Sequence, residues 1–467
     1  MNLATRISRS ALSPLGNSFS GRLILPGDEG YEAARRVHNG MIDRRPSVIA
    51  CCTRSADVVG ALDFAIEHGL QISVRGGGHN VAGRAVIDDG MMIDLSPMKG
   101  IHVDPSARSV RVEAGVNWGE LNRATQLHGL ATTGGAVSST GVAGLTLGGG
   151  FGFLMGRHGF TIDNLKSVEV VTAGGKVLHA SEEENSELFW GVRGGGGNFG
   201  VVTSFEFMLH SIGPMVNGGI IAYPIDQSHE VLRFYRALTG AASDDLTVVA
   251  SLTHSPDGSG QQLAAMLVCH CGQPDEGGVA LDSIKAFNRP VLDRLGPLSY
   301  TSLNEMLDLT FPKLALNYWK SCFLGELSDN AITVLREQFA RCPSPMSKLI
   351  LEHFHGAALK PKSTDTAFPH RYPGYSVLII SQWTDPKDNA RNIAWAKETF
   401  AALQPFTRQG AYSNYMADDE PLSRVKHAFA ENFPRLQKLK DSYDPSNLFC
   451  NNQNIPPSIG RSSEMAT

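Results

Sequence analysis

The stretch Ile72-Ser73-Val74-Arg75-Gly76-Gly77-Gly78-His79-Asn80 constrains this chain more than any other. An apolar, β-rich run stops abruptly at three glycines. Glycine admits backbone angles that a side chain forbids, so such a loop can turn successive N–H groups toward a pyrophosphate. His79 follows at the mouth of that anion site. A neutral imidazole held there can attack an electrophilic carbon of a tethered ligand, because proximity makes the attack effectively intramolecular. Taken alone, the loop also fits a tight turn followed by a surface histidine. The reading adopted is a loop that binds a flavin dinucleotide.

Two further glycine-dense segments decide between these readings. One runs from Gly134 to Gly159 and precedes the strand-like run Ser167-Val168-Glu169-Val170-Val171; the other is Gly194-Gly195-Gly196-Gly197-Asn198-Phe199-Gly200 followed by Val201, Val202 and Thr203. Three such segments within about 130 residues exceed what turns alone need. Each is flanked by apolar residues that can be buried, unlike a low-complexity tract.

The three segments together resemble the FAD-binding domain of the vanillyl-alcohol oxidase superfamily, in particular the berberine-bridge-enzyme-like oxidases. Glu187 to Thr203 is similar to that family's LFWAxRGGGGNFGVVT signature. Tyr443-Asp444-Pro445-Ser446-Asn447 through Pro457 is similar to its YDPxNxFxxNxNIxP signature. The resemblance spans nearly the whole chain in order. It implies FAD bonded at its 8α carbon to His79, with Arg75, Gly76, Gly77, Gly78, Asn80 and Gly83 forming the first cofactor loop. It further implies cofactor contacts from Val137, Ser138, Thr140, Gly141, Gly144, Leu147, Gly148 and Gly152, and from Val202, Asn452 and Asn454. Many plant and fungal members add a second link through a cysteine. Aligning Gly148-Gly149-Gly150 with the family's triplet puts Val137 at that cysteine's place, and no cysteine lies between Cys52 and Cys269. One covalent bond, through His79 alone, is therefore expected, as in singly linked bacterial members.

The implied fold class is α+β: a two-part FAD-binding domain of the vanillyl-alcohol oxidase type with an inserted α+β substrate domain, a sheet covered by helices. The expected boundaries are 1–207 for the N-terminal part, 208–411 for the substrate-binding domain, and 412–467 for the segment that returns to the flavin. Periodicity agrees. Trp118, Leu121, Ala124 and Leu127 step by three before Gly129, as a helix would. From about residue 208 the long glycine clusters vanish; strand-like runs appear at Ile220 to Tyr223, Leu246 to Ala250 and Leu349 to Leu351, and helical spacing at Ile393, Ala396, Phe400 and Leu403. A ligand held between two such units is the natural consequence.

Composition narrows the partners. A net charge of −5 and no Lys/Arg cluster give no field for nucleic acid. No apolar run approaches the 18 or so residues needed to span a bilayer, and MNLATRISRSALSPLG lacks the uninterrupted apolar core of a secretory signal. Seven cysteines without framework spacing suggest reduced thiols and a cytoplasmic protein. In Cys269-His270-Cys271 the two thiols share one strand face and the imidazole the other; after the apolar Leu263 to Val268 this reads as a buried strand and not a metal site. The expected partners are a small-molecule substrate and O2, with the oligomeric state undetermined.

Two residues compete for the role of proton acceptor. Tyr412-Ser413-Asn414-Tyr415 resembles the family's YxNY segment, which points to Tyr415; a phenol of ordinary pKa near 10 needs stabilisation to act as a base near neutrality. The alternative for this side chain is a packed ring donating one hydrogen bond. In Lys348-Leu349-Ile350-Leu351-Glu352, alternation puts Lys348, Ile350 and Glu352 on one face, with His353 and His355 opposite. Glu352 then either lines a pocket or forms an exposed ion pair. The implied activity is an FAD-linked oxidase that moves hydride from a C–H or C–N centre to flavin N5 and electrons to O2, releasing H2O2. Thr140 and Leu145 resemble an oxygenating member of the family, so a flavin-dependent monooxygenase acting on a polyketide-like or aromatic substrate is the alternative; a flavoprotein that merely sequesters a metabolite is another.

Overall fold

The computed structural model describes residues 7–458. Residues 1–6, and with them the start of the N-terminal segment considered as a leader, lie outside the described residues, as do residues 459–467.

Two apolar cores organise the chain. The first draws on residues between Leu12 and Leu209 and again between Ala411 and Ile455, with Ala367 added from the chain between; the second draws on residues between Ile221 and Ala417. The first core sits around two sheets. In one, Val48–Cys51, Met91–Asp94 and Ile72–Arg75 run parallel, with Arg22–Ile24 antiparallel at the edge. Val48, Ile49 and Ala50 are all buried, as a parallel strand covered on both faces demands. The other is an antiparallel five-stranded sheet centred on Val201–Met208, which pairs with both Ser109–Glu113 and Leu165–Val171. The strand Ile72–Arg75 ends where the glycine triplet begins, so the sheet aims that loop.

The second core is one nine-stranded sheet with helices on one side. Its central strands are Gln262–His270, Leu246–His254, Lys348–Phe354, Gly374–Trp383 and Leu316–Leu324. Alternation sorts their side chains. Leu349, Leu351, Val377 and Ile379 pack under the helices, where Ile332, Leu335, Trp395 and Ala396 meet them. Ile350, Leu378 and Trp319 point the other way, toward the first core, where they line a cavity. The sheet thus roofs the site, and the helices only brace it.

The final segment returns to the first core through a buried ion pair. Lys440 and Asp444 are both fully buried, 2.6 Å apart. Lys440 Nζ also donates to the carbonyls of Asn198 and Phe449, and Asp444 accepts from the N–H groups of Leu448 and Phe449. That pair pins the last signature against the glycine loop around Asn198.

Two sequence expectations need correction or detail. The helix near residue 120 spans Trp118–Gln126, and Leu127 is 84% exposed; the buried face is Trp118, Leu121, Asn122 and Thr125, a stripe of mixed 3 and 4 steps rather than steps of three. Cys269 and Cys271 pack with Phe153 and Tyr300 in a small core, while His270 lies across the strand beside Asp245 and Glu276.

Candidate active site between the two cores

A cavity of about 360 Å³ lies between the sheet roof and the glycine loops. The loops can approach only because they lack side chains. A Cβ on Gly77 would stand 2.5 Å from the backbone of Gly141, and one on Gly141 would stand 2.5 Å from the nitrogen of Gly77. Gly78 takes a left-handed φ of 67°, which turns the chain so that His79 faces inward.

Of the cofactor residues expected from sequence, Gly76, Gly77, Gly78, His79 and Asn80 line the cavity. So do Val137, Thr140, Gly141, Gly144, Leu147, Gly148 and Gly152, together with Val202 and Asn452. Four others do not. Arg75 turns away to a bidentate pair with Asp94 and to the carbonyls of Ala34 and Arg36. Gly83 packs against Ile42. Ser138 is bound through its N–H and hydroxyl to Asp308. Asn454 lies beyond the lining, whereas Asn451 and Gln453 belong to it. Arg75 and Ser138 thus hold their loops in place, while the neighbouring Gly76 and Val137 supply the surface.

His79 lines the cavity beside a second imidazole. Its ring lies 3.9 Å from that of His38, and its Nε2 is 3.2 Å from the Ser139 hydroxyl. Burial, reinforced by His38, pushes its pKa down to about 3, so the ring is neutral at physiological pH. His38 is itself fixed: its backbone N–H donates to the Gly78 carbonyl and its Nε2 lies 3.1 Å from the Phe311 carbonyl. Asn39 continues this clasp, bonding the Val81 carbonyl on one side and both backbone groups of Asn317 on the other.

The two competing acid–base candidates meet. Tyr415 donates from its hydroxyl to Glu352 Oε1 at 3.1 Å, and both line the cavity. Glu352 Oε2 is buried without a partner. Burial lifts the Glu352 carboxyl to about 7, against the opposing hydrogen bond from Tyr415. Burial, then the adjacent carboxylate, holds the Tyr415 phenol well above its usual range. Lys348 lies on the same strand face as Glu352 but not in the site: its Nζ donates to the Thr310 carbonyl at 2.8 Å over the Phe311 ring. Burial lowers it to about 7. His353 stacks on His355 and lies tilted against Tyr375, and His355 packs on Gly156; neither lines the cavity.

The rest of the Tyr412 to Tyr415 segment also lines the cavity and is tied to the glycine segment beside it. Tyr412 accepts from the Gly150 N–H, and Asn414 donates to the Leu145 carbonyl and to the Tyr412 hydroxyl. Gly148 leaves the space that Asn414 occupies. Sequence reasoning missed the aromatic wall of Phe151, Phe311 and Trp319, because no motif marks them; alternation on Leu316–Leu324 was the available signal for Trp319.

The donor set fits a flavin dinucleotide. The walls that the three glycine segments form leave Ser73 Oγ and Asn452 Oδ1 buried without partners, both on residues that line the cavity. Unpaired buried polar atoms are costly unless a ligand satisfies them.

The FAD binding domain family matches residues 46–181, and the berberine and berberine-like family matches residues 411–456. (R)-6-hydroxynicotine oxidase of Paenarthrobacter nicotinovorans is 31% identical, with 97% of this chain and 99% of that protein covered. The chain belongs to the berberine-bridge-enzyme-like FAD-linked oxidoreductases. Tetrahydroberberine oxidase of Berberis wilsoniae, another relative, is 26% identical over 88% of this chain and 86% of its own. The crystal structure of 6-hydroxy-D-nicotine oxidase from Arthrobacter nicotinovorans superposes with a TM-score of 0.86 at 29% identity, covering 95% of this chain and 99% of that one. Berberine bridge enzyme in complex with (S)-reticuline shares the fold at a TM-score of 0.86 and 21% identity, over 96% and 98% of the two chains. This member of the family is thus an FAD-dependent oxidoreductase with the mixed helix-and-sheet architecture of that group. Among the described residues, no helix is long and apolar enough to cross a membrane.

Proposed function

We propose that this oxidoreductase is an oxidase that removes a hydride from a carbon of a small organic substrate while Glu352 takes a proton from the heteroatom attached to it. The observation that carries this reading is the hydrogen-bonded Tyr415–Glu352 pair facing the cavity with Glu352 Oε2 free. When bound, FAD supplies the hydride acceptor and the route by which two electrons reach O2 to give H2O2.

The chain's own groups have separable tasks. His79, neutral and oriented by His38 and Ser139, would hold the flavin through one covalent bond. The loops Gly76 to Asn80 and Val137 to Gly152, with Val202 and Asn452, would hold the rest of the cofactor. Tyr415 remains protonated and keeps Glu352 Oε1 occupied, so the remaining oxygen is the acceptor. This assigns the base to Glu352, with Tyr415 as its donor partner. The parts 1–207 and 412–467 would then serve the cofactor, and 208–411 the substrate.

Product and H2O2 measured together in air test the reading. One H2O2 per product molecule is expected. Sub-stoichiometric H2O2 with an oxygen atom from O2 in the product would replace the oxidase by a monooxygenase.

A further inference from the structure

The wall opposite the glycine loops is almost without polar groups. Val249, Leu267, Ile350 and Leu378 cover it, and Trp319 and Phe311 close one side. The registers make this continuous: Leu267 pairs with Val249, Val249 with Glu352, and Ile350 with Leu378. The Trp319 ring stands edge-on to both Phe311 and Tyr415, at 6.3 and 6.2 Å between centroids and 75° in each case. Such an arrangement receives a flat ring without leaving polar atoms unpaired.

Charge is as sparse as polarity. Glu352 is the single carboxylate in the lining among the described residues. The nearby cation is withheld, because Lys348 spends its ammonium on the Thr310 carbonyl. Arg84 also reaches the lining, but on the side of the returning segment, where Asn451 bonds its carbonyl. A carboxylated substrate would therefore bury its charge beside Glu352 with no cation to meet it. A sugar would bury several hydroxyls against aliphatic carbon, each losing its hydrogen bonds to water.

We infer that the substrate is an apolar, ring-bearing molecule with one hydrogen-bond donor, a hydroxyl or an amine, on the carbon to be oxidised, and that this donor meets Glu352 Oε2. The inference rests on the FAD-oxidoreductase reading of the same site. The overall reaction balances: the carbon loses a hydride, the heteroatom loses a proton to Glu352, a C=O or C=N bond forms, and O2 takes up the two electrons and two protons as H2O2 by the cofactor route proposed above.

Purified holoenzyme is titrated anaerobically while its visible absorbance is followed, with 1-(2-naphthyl)ethanol, 1-(2-naphthyl)ethylamine, mandelate and D-glucose as probes. Protein without a flavin spectrum would overturn the cofactor reading itself, a failure distinct from any below. With flavin present, at least one naphthyl probe is expected to perturb or bleach the spectrum with half-saturation about tenfold or more below that of mandelate and glucose; which of the two does so identifies the donor as hydroxyl or amine. Leu378→Asn and Ile350→Asn are expected to raise that half-saturation about tenfold while retaining the wild-type flavin content. Equal or tighter response to glucose or mandelate, no response to either naphthyl probe, or unchanged half-saturation in both flavin-loaded variants would overturn the inference.

Discussion

At the residue scale, the proposed chemistry turns on where two protons reside. Glu352 titrates near 7 because burial penalises its charge, and it accepts a proton only when ionised. Turnover of the wild type should therefore rise with pH through a midpoint near 7. Glu352→Gln should lose about 100-fold or more in kcat and lose that limb of the profile, as steady-state rates across pH will show. Tyr415→Phe removes a hydrogen bond that favours the ionised carboxylate, so its midpoint should move to higher pH with the limb retained. Stability follows the same titration with a definite sign. The folded protein holds the Glu352 proton up to about 7, whereas the unfolded chain releases it near 4.5, so this group's contribution is intact below about 4.5 and is lost as pH rises through 7. Glu352→Gln should accordingly melt higher than wild type at pH 8, by a few degrees, and show no such gain at pH 4. His38 acts through His79 instead of on substrate. His38→Ala should lower the fraction of flavin that survives denaturation, and His38→Phe, which keeps a stacked ring, should restore part of it.

At the element scale, the glycine loops and the returning signature are fitted to each other. Gly141→Ala would drive a methyl group into the Gly77 backbone, which cannot retreat without moving the strand Ile72–Arg75 behind it. A loss of about 1–3 kcal/mol in unfolding free energy is expected from denaturant titration, with poorer flavin retention. Asp444 illustrates a motif residue whose work is structural: it neutralises a fully buried lysine that holds the Asn198 loop. Asp444→Ala leaves that cation unpaired and should cost about 3–5 kcal/mol by the same titration. These elements also show what the sequence made legible. Ile72 to Arg75 and Ser167 to Val171 stood out because β-branched and aliphatic residues cluster between glycines, and Leu349 to Leu351 as a short aliphatic run; each lies in a strand. Which motif residues face the ligand was not legible, because Arg75, Gly83 and Ser138 are set by partners at Asp94, Ile42 and Asp308, distant in sequence. The convergence of Tyr415 with Glu352 was hidden for the same reason: 63 residues separate them, and only the paired sheet and the returning segment bring them together.

At the scale of the whole molecule, one half presents glycine backbones and a neutral histidine, and the other presents an apolar sheet face with, among the described residues, a single carboxylate in the cavity lining. The clasp of His38 and Asn39 fastens the loop bearing His79 to Phe311 and Asn317 in the opposite half, so His79 and the apolar sheet face are joined directly. Alternation alone told that Ile350 and Glu352 share a face, but whether that face met water or the flavin half depended on long-range packing. The most direct test of a flavin tethered at this junction is acid precipitation of the purified protein, with visible absorbance recorded in pellet and supernatant, for wild type and His79→Ala. Yellow colour that remains in the wild-type pellet and passes to the supernatant in His79→Ala is the expected result. A wild-type pellet that releases its flavin, or a colourless protein after expression with flavin supplied, would contradict it.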